Sequence, residues 1–150
     1  MWHIAEINIA SARAPLDDPA MASFVAQLDA VNNLADESPG FVWRLKGPEG
    51  GASSYIRIEQ DDRLLVNMSV WTSIDALHAF VYRAMHGAVY ASRGAWFEPL
   101  GRLPVALWWV RGGVIPTIDE GFERLESLTQ SGPTPHAFTF KRRFASPELP

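Results

Sequence analysis

Apolar and polar residues alternate from Trp2 to Ile9, with His3, Ala5, Ile7 and Ile9 on one side and Trp2, Ile4, Glu6 and Asn8 on the other. A period of two marks a β-strand. Asp17-Asp18-Pro19 then offers a helix start, with Asp18 as N-cap and Pro19 at the first helical position. Met21, Phe24, Val25, Leu28, Val31 and Leu34 recur at helical spacing and predict one buried stripe, ended by Ser38-Pro39-Gly40. Phe41 to Lys46 reads as a second strand, Tyr55 to Glu59 as a short edge strand, and Leu64 to Trp71 as the next strong strand. Thr72-Ser73-Ile74-Asp75 fits a capping box in which Thr72 and Asp75 satisfy each other's backbone donors. The helix it opens turns Ile74, Leu77, Phe80, Val81, Ala84 and Ala88 inward, and Leu103 to Val110 is the last core strand.

The order is β-α-β-β-α-β, so the predicted class is α+β with a ferredoxin-like core over residues 2–110. A C-terminal extension, 111–150, completes a single domain. It holds a third helix, opened by a capping box from Thr117 to Glu120, which carries Ile118, Phe122, Leu125 and Leu128 inward. Gly132-Pro133-Thr134-Pro135 stops that helix, and Ala137 to Phe144 is a candidate extra strand. Four apolar strands with helices on only one face would leave a large apolar patch bare. A homodimer is therefore expected.

Composition narrows the picture. Six Trp and eight Phe in 150 residues can supply core, pocket walls or an interface. Net charge is −4 and Lys141-Arg142-Arg143 is the lone basic cluster, which argues against a nucleic-acid partner. The absence of cysteine excludes disulfides and thiolate chemistry. No apolar run approaches the ~20 residues that span a bilayer, and the start at Met1 lacks a signal-like pattern. A cytoplasmic location with no membrane partner is the expectation.

No strong catalytic motif or metal-ligand spacing is present, so no metal site is predicted. The central strands are more informative. Glu6 and Asn8 on the first and Asn67 and Ser69 on the third are polar where burial is costly. They either line a cavity, with Arg44 joining them, or form a self-satisfied network supporting an interface. His78 and His86 lie on the second helix, His86 reaching a pocket only where the helix breaks near Gly87. Trp96-Phe97 before Pro99 anchors the helix end or walls a pocket.

Asn67-Met68-Ser69-Val70-Trp71, the helix through His86, Trp96-Phe97-Glu98-Pro99, Leu107-Trp108-Trp109-Val110, Gly132-Pro133-Thr134-Pro135 and Ala137-Phe138-Thr139-Phe140 together resemble a bacterial domain-of-unknown-function family. That family is placed among the dimeric α+β barrels, beside the antibiotic-biosynthesis-type monooxygenases. The resemblance spans Trp2 to Phe140 and implies a dimeric barrel with a cavity between sheet and helices. It also implies the leading expectation, a small-molecule enzyme of the monooxygenase-like type acting on an aromatic or polyketide-like substrate. Asn8, Asn67, Trp71, Tyr82 and Trp96 would bind the ligand, while His86 or His78 would move a proton. The alternatives are a non-catalytic binding or sensing protein and a purely structural dimer. A haem-dependent enzyme is a minor one. Asn8 and His86 are similar by position to residues of the haem-degrading branch, but Phe80 stands where that branch carries a Trp, so no cofactor is predicted.

Overall fold

The computed structural model describes residues 1–58, 61–85 and 93–147. Its centre is β1 (Trp2–Ala12), which pairs antiparallel with β3 (Leu64–Trp71) on one side and β5 (Val105–Arg111) on the other. The short β2 (Phe41–Arg44) lies outside β3, with a bulge between Phe41 and Trp43. A two-residue β4 (Phe97–Glu98) extends the β5 side by pairing with Ser11 and Ala12. The order β2-β3-β1-β5 is the ferredoxin-like sheet that the sequence pattern predicts.

Two helices pack on one face: α1 (Ala22–Asp36), entered through a 3-10 turn over Pro19–Met21, and α2 (Ile74–Met85). Asp18 is the N-cap of that turn, its carboxylate accepting from the Ala20 N–H at 2.9 Å. At α2 the cap is one residue later than expected. Ser73 Oγ, not Thr72, accepts from the Ala76 N–H at 3.1 Å, because the first helical residue is Ile74. A single turn, α3 (Arg93–Trp96), precedes β4.

The opposite face is covered by α4 (Ile118–Ser131), capped by Thr117 Oγ1 accepting from the Glu120 N–H at 3.1 Å and closed by Gly132 at φ +72°. Gly121 lets this helix approach closely: a Cβ there would stand 2.7 Å from Ile7 Cδ1. Leu125 and Leu128 bury against Ile7, Met68 and Trp108. The face that the sequence reading left for a partner subunit is thus filled by the chain's own helix. With both faces covered, β3 is buried at every residue but Asn67, and β1 is buried from Ile4 to Ile7 and again at Ile9 and Ala12.

Two weaker strand expectations take other forms. Ser53–Tyr55 is a 3-10 turn, and Ile58 makes only an isolated bridge to Asp61, since Ile56 and Ile58 serve as plugs for the core rather than ladder rungs. Glu59 lies outside the described residues. The C-terminal segment is tied by one bridge, Phe138 to Leu107, with Trp109 Nε1 donating to the Phe144 carbonyl at 2.9 Å. Among the described residues, no helix is long and apolar enough to cross a membrane.

Candidate functional site

Alternation puts Glu6, Asn8 and Ala10 of β1 on the face that carries α1 and α2, beside Ser69, Asn67 and Leu65 of β3. The register confirms the match, with Glu6 opposite Ser69 and Asn8 opposite Asn67. Cβ atoms of directly opposed residues stand about 4.5–5.5 Å apart, so the two carboxamides are neighbours. Over them α1 does not close. Its apolar stripe, Phe24, Leu28 and Val31, is only half-buried. The short and polar residues below leave a half-open cavity of about 220 Å³.

Asn8, Ala10, Leu65 and Asn67 form its floor, Phe24, Leu28, Val31 and Asn32 its roof, and Ser53, Ser54 and Phe97 its sides. Among the described residues, the lining carries no charged side chain. A dry cavity of about 150 Å³ is enough for benzene, so this one suits a single-ring molecule. The site lies between the sheet and the first helix, whereas the sequence reading places a pocket between the sheet and the second helix, touching Asn67 or Trp71 and one of Tyr82, His86 and Trp96. Under α2 the space is filled by Trp71 stacked on Phe80.

Behind the floor runs a buried polar chain. Asn8 Nδ2 donates to Glu6 Oε1 at 2.7 Å, and Ser69 Oγ donates to Glu6 Oε2 at 3.2 Å. Trp71 Nε1 in turn donates to Ser69 Oγ at 2.9 Å. Glu6 is only 5% exposed. Burial pushes its carboxyl above the ordinary 4.5, and the hydrogen bonds from Asn8 and Ser69 offset this only in part. Arg44 does not join them. Although opposite Ser69, it turns to Asp36 at 2.7 Å and holds that carboxyl below its ordinary range through the hydrogen bond.

Of the expected ligand-binding residues, Asn8 and Asn67 meet at the cavity and the others do not line it. Trp71 is sealed in the core, stacked on Phe80 at 5.0 Å and edge-on to Phe41 at 5.4 Å. Trp96 stands behind the lining, against Phe24 and Phe97, with Nε1 donating to Ser23 Oγ at 2.8 Å. Tyr82 is 61% exposed on α2. His78 is exposed and meets the edge of Phe140, away from the cavity, and His86 lies outside the described residues. Among the described residues, no three His, Asp or Glu side chains converge as metal ligands. One contributor goes unassigned in the sequence reading: the α1 stripe is given there wholly to the core, whereas Glu6 is already grouped with Asn8, Asn67 and Ser69.

The model of a family described as a domain of unknown function, DUF3291, matches residues 3–150. The chain belongs to the DUF3291 family. Among curated proteins, nothing matches this DUF3291 chain. Among solved structures, it is similar to SnoaB, a cofactor-independent oxygenase from Streptomyces nogalater, at 15% identity and a TM-score of 0.46, covering 79% of this chain and 98% of that one. A variant of SnoaB matches at 14% identity and a TM-score of 0.46, over 75% and 95% of the two chains. A protein of unknown function from Nitrosomonas europaea, NE2512, matches at 11% identity and a TM-score of 0.44, over 78% and 95%. Likenesses at this level carry nothing about the chemistry of the DUF3291 chain.

Proposed function

We propose that this DUF3291 protein binds a single-ring, mostly apolar molecule between α1 and the sheet and acts on it as a small-molecule enzyme of the monooxygenase-like type. One observation carries the reading: two carboxamides at paired register positions on central strands face a 220 Å³ cavity whose remaining walls are largely apolar. Apolar walls with a few convergent polar groups are the usual make-up of a ligand pocket. Phe24 and Phe97 offer flat surfaces to an aromatic ring, and the Asn67 amide offers donors to an oxygen on which negative charge develops. For a phenol with an open para position, the reaction with dioxygen adds one oxygen atom to the ring and removes two hydrogens. The second oxygen leaves as water, and the product is a quinone.

The test is an oxygen electrode with purified protein and simple phenols, without added flavin, haem or metal. Consumption of one dioxygen per quinone formed is expected, with the rate lowered roughly 10²-fold or more in Asn67→Leu. A second reading, binding without chemistry, is favoured by the lining itself, which among the described residues holds no His, Asp or Glu. Saturable binding with no oxygen uptake across a panel of phenols would establish that reading instead.

A further inference from the structure

The two carboxamides on the cavity floor are tied at opposite ends. Asn8 commits Nδ2 to Glu6 Oε1 at 2.7 Å, and its Oδ1 has no protein partner among the described residues. Asn67 Oδ1 accepts one long hydrogen bond, from Ser53 Oγ at 3.5 Å, while its Nδ2 donates to no described residue. Both residues line the cavity, and among the described residues no hydrogen bond joins the two side chains.

Glu6 holds Asn8 this way in either protonation state. Ionised, both its oxygens accept. Neutral, its proton has Ser69 Oγ as an acceptor on the Oε2 side, and Oε1 still accepts from Asn8. Among the described residues no Lys, Arg or His forms an ion pair with Glu6, and nothing charged lines the cavity. The site therefore shows a ligand one carbonyl oxygen from Asn8 and, beside it, one amide N–H group from Asn67.

Resting on the small-molecule reading above, we propose that Glu6 and Ser53 are the positioning residues that set this head-to-tail pair, and that the ligand is a neutral single-ring compound with a hydrogen-bond donor adjacent to an acceptor. Cyclic amides, catechols and hydroxy ketones have this chemistry. Their donor meets Asn8 Oδ1 and their acceptor meets Asn67 Nδ2. A carboxylate is refused, because it offers only acceptors, meets no cation and faces the Asn8 carbonyl. A ring lacking the donor leaves that carbonyl desolvated and unpaired.

The experiment is calorimetric titration of the full chain with 2-pyridone, N-methyl-2-pyridone and benzoate. 2-Pyridone is expected to bind roughly tenfold or more tightly than either of the others. Glu6→Gln keeps that preference, since its amide oxygen accepts from Asn8 and its amide nitrogen donates to Ser69. Glu6→Met loses it, because Asn8 is free to turn. Equal binding of 2-pyridone and its N-methyl derivative to the wild-type chain would overturn the inference and leave the small-molecule site standing. A folded Glu6→Gln that no longer discriminates would also overturn it. Failure of every probe to bind would overturn both readings. The wild-type comparison decides the matter even where Glu6→Met does not fold.

Discussion

Glu6 is a carboxyl placed where a central strand has both faces covered, and its stability signature follows from that. Because burial raises its pKa, the folded chain holds the Glu6 proton to higher pH than the unfolded chain does. Its contribution to stability is therefore fully present below the ordinary 4.5 and is lost as pH rises through the raised value. Glu6→Gln has no charge to bury. It is expected to be more stable than the wild type at about pH 8, the gap closing as pH falls toward 4.5. Urea unfolding of both chains across that range measures it, and curves that keep a constant offset would contradict it. Asp36 is the same in both chains, so its opposite shift cancels. At Asn67 the expectation separates role from support. Asn67→Leu abolishes ligand binding while changing stability by less than ~1 kcal/mol, because among the described residues its side chain makes one long hydrogen bond, to Ser53. A loss of ~1–3 kcal/mol with binding intact would make Asn67 part of a structural network.

Elements defined by local signals were legible in the sequence. Leu64 to Trp71 has the boundaries its alternation gives, and Thr117 caps α4 as its spacing implies. Thr117→Ala is expected to lower stability by ~0.5–2 kcal/mol, the usual worth of such a cap. Thermal unfolding would show it, and an unchanged midpoint would mean the cap is satisfied otherwise. Elements that depend on distant partners were harder. An amphipathic stripe says that a helix buries one face, not how fully. Thus α1 and α4 read alike, yet α4 seats Leu125 and Leu128 tightly while α1 stays half-buried over polar residues. Gly121 is part of that difference. Gly121→Val is expected to cost ~1–3 kcal/mol by driving α4 off Ile7 and Met68.

At the scale of the whole molecule, α4 changes what the sheet needs. Ile7, Met68 and Trp108 are covered within one chain, so a homodimer of this protein has to use a surface other than the sheet's second face. Leu125→Asp is accordingly expected to unfold the chain, not to separate intact subunits, and folded monomers of that variant in light scattering would contradict this. The candidate site was partly legible for a related reason. Strand alternation alone placed Glu6, Asn8, Asn67 and Ser69 on one face, but sequence cannot tell an aromatic that walls a pocket from one that fills a core. Trp71 and Trp96 proved to fill and support, while the cavity formed where α1 fails to close over Asn8 and Asn67. Titration of 15N-labelled protein with phenol, followed through the side-chain amide resonances of Asn8 and Asn67, tests that cavity most directly. Saturable shifts at both carboxamides, with the exposed Tyr82 region of α2 unmoved, are expected. Saturable shifts elsewhere with both carboxamides silent would contradict the account.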